Sequence, residues 1–162
     1  MRVVGIALLL LLGGEARAVP VGSARAQEAV RICSDGDELT GEAQRHAFER
    51  GLALAEEVAE SDPADAAAHF GIVCNLGKKM RLRGMSVLNV FSLRRLRREI
   101  DRTLELAPDD PDALSAKGAL LVNLPSLLGG DKEEAERLFR KVLSIDPDHA
   151  EALRYLPEAL RR

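Results

Sequence analysis

Residues 118–147 read GALLVNLPSLLGGDKEEAERLFRKVLSIDP, and the second half of this stretch decides the fold. Asp131 stands where a helix N-cap is wanted, and Glu134 follows three residues later, the capping-box spacing. Ala135, Leu138, Phe139, Val142 and Leu143 recur at i, i+3, i+4, i+7 and i+8, which places them on one helical face. Lys132, Glu133, Glu136, Arg137, Arg140 and Lys141 take the other side. Pro147 cannot continue this helix but suits the first turn of the next. A helix with one dry stripe needs a neighbour to cover it, so the rest of the chain must supply similar units.

Working outward from Pro147, the positions five, eight and twelve residues earlier hold Val142, Phe139 and Ala135. The same offsets from Pro108 give Thr103, Ile100 and Leu96, and from Pro63 they give Val58, Ala55 and Gly51. All are small or apolar except Thr103. The prolines stand 45 and 39 residues apart. Repeats of roughly 20 to 50 residues imply a solenoid of stacked helical hairpins.

These offsets, with Gly71 and Gly118 midway in the first helices, resemble the tetratricopeptide repeat. That family has a period of about 34 residues. The extra length here falls between the two helices of a pair, at Arg81 to Ser92 and at Leu124 to Gly130. With its leucine-rich LPSLLGGD insertion after an HFGIVCNLGKKMRLRG helix, the chain looks like the divergent tetratricopeptide proteins grouped with the T component of TRAP transporters. That resemblance covers about Asp65 to Tyr155. It implies an exported helical protein that partners a solute-binding protein. The expected fold is all-α: a tetratricopeptide-like hairpin solenoid of about two and a half repeats, with long intra-repeat insertions and a C-terminal capping helix. That helix starts after Pro147, with Asp148 and Glu151 as its capping box, and Pro157 kinks or ends it.

The N-terminus reads as an address. A positive charge at Arg2 precedes the apolar run Val3 to Leu12, and Ala16-Arg17-Ala18 fits the A-x-A cleavage rule. Residues 1–18 are therefore expected to be a signal peptide, with cleavage after residue 26 as the alternative. Ten apolar residues are too few to span a bilayer as a helix, which takes about 20. Periplasmic or secreted localisation follows, with no transmembrane helix in the mature chain. Residues 19–39 show only weak pattern, and Ser34 to Glu38 read as a turn. The helical domain is expected over 40–162, beginning at Thr40 as N-cap. Asp62 is the expected cap of the second helix.

Four Phe, one Tyr and no Trp leave the core to Leu, Ala, Val and Ile, residues that favour close-packed helices over sheet. Cys33 and Cys74 are the two cysteines. Either they form a disulfide, which an oxidising compartment would permit, or they remain separate thiols with Cys74 packed as a small hydrophobe. His46, His69 and His149 have no partners at metal-ligand spacing and read as surface or rim residues. No nucleophile elbow, phosphate loop or zinc helix occurs, so neither enzyme activity, metal nor cofactor is expected.

Lys78 to Arg102 carries nine basic residues against Glu99 and Asp101, in a chain of net charge −3. Arg94, Arg98 and Arg102 stand four apart on one helix face. They form either a solvated face, with Glu99 pairing to Arg95 and Asp101 to Arg97, or a docking patch for an acidic partner or an anionic membrane surface. Nucleic acid fits poorly because no aromatic residues interleave the arginines. Met80, Leu82, Met85, Val87, Leu88, Val90 and Phe91 crowd the first insertion, and Leu124, Leu127 and Leu128 the second. These residues must be covered, and folding over the repeat's own core is the expected cover. By the family's repeat positions, the first helices would line a groove with Ile72, Asn75, Leu76 and Lys79, then Val122 and Asn123. The lysine and arginine set that a carboxylate clamp for chaperone tails requires is absent from that groove. The functional expectation is an exported scaffold or adaptor that binds a protein partner and can self-associate, in a solute-uptake system. The alternative is a carrier of a small apolar ligand between the repeats and the leucine-rich insertions.

Overall fold

The computed structural model describes residues 22–83 and 89–161, all helix and connecting turn. Seven α-helices run in order: α1 Ala24–Gly36, α2 Gly41–Ser61, α3 Ala66–Arg83, α4 Asn89–Leu106, α5 Pro111–Asn123, α6 Lys132–Ile145 and α7 Ala150–Ala159. They stack as three antiparallel hairpins, α1/α2, α3/α4 and α5/α6, with α7 closing the C-terminal end. The expected signal peptide and the expected apolar residues Met85, Val87 and Leu88 lie outside the described residues.

Helix α1 corrects the expectation of a weakly ordered segment over residues 19–39. It completes the first hairpin, so the stack holds one more helix than the proline-anchored alignment counts. The Ser23 Oγ accepts from the Ala26 N–H and caps it. Its buried side is Ala26, Ala29, Ile32, Cys33 and Gly36, a helical spacing written mostly in small residues. The supposed turn at Ser34 to Glu38 is the last turn of this helix and its exit.

The other caps sort out by which carboxylate reaches the free N–H groups. Asp65, not Asp62, caps α3: its Oδ1 accepts from the Ala68 N–H at 3.0 Å. Asp62 closes only a tight local turn, accepting from Ala64 N–H. Asp65 Oδ2 also accepts from the Ser23 N–H at 2.7 Å, so one buried carboxylate ties the starts of α1 and α3 together. Thr40 occupies the N-cap of α2, but its hydroxyl makes no capping bond. Asp131 caps α6 as expected; Glu134 turns outward to Arg137 instead of closing the box. At α7 the cap is His149 rather than Asp148, with Nδ1 accepting from the Ala152 N–H at 3.3 Å. Pro157 is accommodated inside α7, which ends two residues later.

Two large apolar cores result, with a small cluster of Ala26, Val58 and Ala68 where α1, α2 and α3 meet. The first gathers Ala29, Leu52, Ala55, Ile72, Val73, Leu76, Leu96 and Ile100 from α1 to α4. The second gathers Leu114, Ala135, Leu138, Phe139, Val142, Ala152 and Ala159 from α5 to α7. Leu104 packs on both, and Ala116 and Leu120 of α5 reach back to the first. Close approach is set by the two first-helix glycines. A Cβ at Gly71 would stand 3.0 Å from the Ala55 Cβ, and one at Gly118 would stand 2.7 Å from the Phe139 ring. Cys33 and Cys74 are joined in a disulfide that links α1 to α3, with Cα atoms 6.1 Å apart.

Candidate partner-binding surface

Most of the first insertion is helix. The end of α3 and the start of α4 absorb all of Arg81 to Ser92 except residues 84–88. Met80 packs on the first core, but Leu82 and Phe91 do not. The second insertion folds as a 3-10 turn, Ser126–Leu128. The Leu128 and Gly130 N–H groups both bond the Pro125 carbonyl, at 2.8 and 3.0 Å, and Gly129 supplies the left-handed residue with φ 83°. So tight a turn has no room to fold its leucines inward. Leu127 is 99% exposed, Phe91 79%, Leu128 54% and Leu82 44%. The expectation that the insertions cover themselves is therefore corrected for these four residues, which leave an apolar rim in solvent, while Met80 does fold onto the core.

Arginines from α4 border this rim. Leu96, Ile100 and Thr103 are buried, which turns Phe91, Arg94, Arg98, Asp101 and Glu105 outward along one exposed stripe. Arg97 reaches sideways and donates to the Leu128 carbonyl, strapping the 3-10 turn to α4. Asp101, expected to pair with Arg97, instead meets Lys117 of α5 at 2.9 Å. Arg95 does approach Glu99, at 3.9 Å, but its closer partner is Glu56 of α2 at 2.6 Å. Arg102 is held by Glu105 at 3.0 Å and by the Pro63 carbonyl at 3.0 Å, so it is less free than Arg94 and Arg98. Among the described residues, no carboxylate lies within ion-pair distance of either Arg94 or Arg98. The solvated-face reading thus accounts for Arg95 and Arg102 and leaves the first half of the stripe unneutralised.

The expected groove residues divide: Ile72, Asn75 and Leu76 are buried, Lys79 and Val122 half-buried, and Asn123 exposed. Ile72 and Leu76 are buried in the first core. Asn75 is fully buried between α1, α2 and α3. Its Nδ2 donates to the Ala29 and Gly71 carbonyls at 3.0 and 2.8 Å, while its Oδ1 has no partner and faces Gly51. An amide placed there ties helix to helix and cannot meet a peptide. Lys79 pairs with Glu49 at 3.5 Å. Val122 packs on the second core, and the Asn123 Nδ2 bonds its own helix at the Ala119 carbonyl, 2.7 Å away. Ile72, Asn75 and Leu76 lie on the side of α3 that packs against α1 and α2.

Two histidines also depart from expectation. The His69 Nδ1 bonds Glu99 Oε2 at 2.7 Å and its Nε2 meets the Pro63 carbonyl at 3.1 Å, so it fastens α3 to α4. His149 is buried, bridging α7 to Asp112 of α5 at 3.1 Å. Burial pushes the carboxyl of Asp110, the N-cap of α5, above its ordinary value, outweighing the lowering effect of the Ala113 N–H. Among the described residues, no group of three or more His, Cys, Asp or Glu side chains is placed to hold a metal. No described helix is long and apolar enough to cross a membrane.

No protein-family model matches the chain, and no curated protein matches it. Among solved structures, the chain is similar to the first TPR of Spaghetti (RPAP3) bound to the HSP90 peptide SRMEEVD. The TM-score is 0.53 at 16% sequence identity, covering 83% of this chain and 91% of that one. That likeness shows a tetratricopeptide-like fold, in agreement with the stacked hairpins above.

Proposed function

We propose that this chain is an exported helical-repeat scaffold that docks a protein partner in the periplasm or outside the cell. The observation that carries the reading is the uncovered apolar rim at Phe91 and Leu127, held on a rigid stack of helices. Large apolar side chains clustered at a surface are the usual mark of an interaction site. A tetratricopeptide-like fold, whose solved neighbour holds a peptide, suits that role. The HSP90 peptide itself is not carried over, because the groove positions Ile72, Asn75 and Leu76 are buried here. Export is supported by the Val3 to Leu12 apolar run and Ala16-Arg17-Ala18. The Cys33–Cys74 disulfide suits an oxidising compartment. Cleavage after residue 18 fits better than after 26, since the later cut would remove the Ser23 cap and most of the first turn of α1. The resemblance to the TRAP T component makes a solute-uptake system the proposed setting.

A second reading, a carrier of a small apolar ligand, draws on one open crevice of ≈ 180 Å³ between α4 and α5, with Ile100, Leu120 and Leu121 in its wall and Gly129 at its edge. Photocrosslinking from position 127 in intact cells separates the readings. The scaffold gives a discrete adduct with another protein. A second copy of this chain in the adduct makes it a self-assembling scaffold. No protein adduct, together with a small molecule released in stoichiometric amount on denaturation, overturns the scaffold in favour of the carrier.

A further inference from the structure

We propose that the first three turns of α4, with the 3-10 turn strapped beside them, bind an acidic amphipathic helix of the partner protein; this rests on the scaffold reading. Phe91, Arg94 and Arg98 are exposed at i, i+3 and i+7, and no carboxylate neutralises either arginine among the described residues. Arg97 is spent on the Leu128 carbonyl, which fixes Leu127 and Leu128 alongside this ridge instead of leaving them on a free loop. The surface therefore offers guanidinium groups one helical turn apart with aromatic and leucine side chains beside them. A helix carrying Glu or Asp on one side and apolar residues on the next matches both at the same 3.6-residue spacing. Each carboxylate can meet a guanidinium in a charge-assisted hydrogen bond.

The same stripe argues against the other occupants. Beyond Arg98 it continues into exposed Asp101 and Glu105. Both are paired, with Lys117 and Arg102, so a flat anionic membrane would meet the two unneutralised arginines and then a stretch without net charge, on a chain that is net acidic at −3. A short helix need cover only the basic half. A second copy laid parallel would set arginine against arginine, and one laid antiparallel would need Asp101 and Glu105, which are already paired with Lys117 and Arg102.

The test uses two synthetic amphipathic helical peptides with the same leucine face, one carrying Glu and the other Lys on the polar face, followed by fluorescence anisotropy. The Glu peptide binds and the Lys peptide does not. Its affinity falls about tenfold in high salt and by a similar factor in R94E/R98E. L127S weakens binding while leaving the salt dependence in place. R94Q/R98Q provides a milder neutralised protein should R94E/R98E fail to fold by circular dichroism. Equal binding of both peptides overturns the inference, as does a Glu peptide that ignores the arginine changes. Sedimentation of the protein with phosphatidylglycerol vesicles, with neither peptide bound, overturns it in favour of a lipid surface. A partner adduct in cells that persists in R94E/R98E sinks this inference and leaves the scaffold reading standing.

Discussion

The two halves of the stack each seat a buried phenylalanine against a glycine, and they differ in what else fastens them. Helices α1 to α3 close through small residues and one ring: Gly71 against Ala55 and Ala29, Gly51 against the buried amide of Asn75, and Gly36 against the buried ring of Phe48. They are then fastened by the disulfide and by Asp65. Helices α5 to α7 have no covalent link. They close around one aromatic ring, Phe139, which fills the space left by Gly118 and stacks near Tyr155 with centroids 6.3 Å apart. In both halves a large ring supplies buried area where a glycine lets the backbones close up, and the first half adds a covalent bridge and a buried carboxylate.

That contrast can be broken most directly at the ring of the second half. Phe139→Ala removes the centre of the second core and should cost about 3–5 kcal/mol, enough to unfold α5 to α7 ahead of the rest. Denaturant melts read by circular dichroism, with hydrogen exchange to locate the loss, check this; uniform loss across all seven helices would merge the two halves into one unit. Next, Cys33→Ala with Cys74→Ala opens a loop of sequence separation 41 and should cost about 3–4 kcal/mol, with exchange rising first in α1 to α3. A smaller effect is expected from Gly51→Ala. The new methyl would stand 2.3 Å from Asn75 Oδ1, and a loss of about 1–3 kcal/mol follows for overpacking. An unchanged melting temperature would mean that Asn75 can move aside.

The smallest effect is a pH-dependent one at Asp110. Its folded pKa is raised above 3.8, chiefly by burial, so the ionised carboxylate costs folded stability at neutral pH. That cost is relieved as pH falls through the raised value. Asp110→Asn keeps a good cap and should raise the melting temperature slightly at pH 7, with the gain fading as pH falls through the carboxylate range. A gain that grows toward acid pH would reverse the sign of the assignment.

How much of this was legible in the chain follows from the same contrast. Helix α6 could be read residue by residue, because Leu138, Phe139 and Val142 carry a strong apolar signal against charged neighbours. Helix α1 could not, because its buried stripe is Ala26, Ala29, Ile32, Cys33 and Gly36, with one large aliphatic residue among five, a weak pattern until the facing helices are known. The caps failed for a related reason. Asp62 and Asp65 are equivalent as letters, and only the approach of Ser23 shows which one is buried. At the candidate surface, the α4 arginines and the leucines of the second insertion were visible, but their cover was not. Whether Leu127 tucks in depends on the Pro125 to Gly130 turn geometry, and Asn75 changed from ligand contact to core fastener once α1 packed over it.

The disulfide has one more consequence. The chain holds two cysteines in all, so there is one way to bridge them within a molecule and no wrong internal pairing to escape from during oxidation. Any cysteine-linked dimer must give up the internal bridge of both its chains, and freshly oxidised material should sort cleanly into correct monomers and a cross-linked remainder.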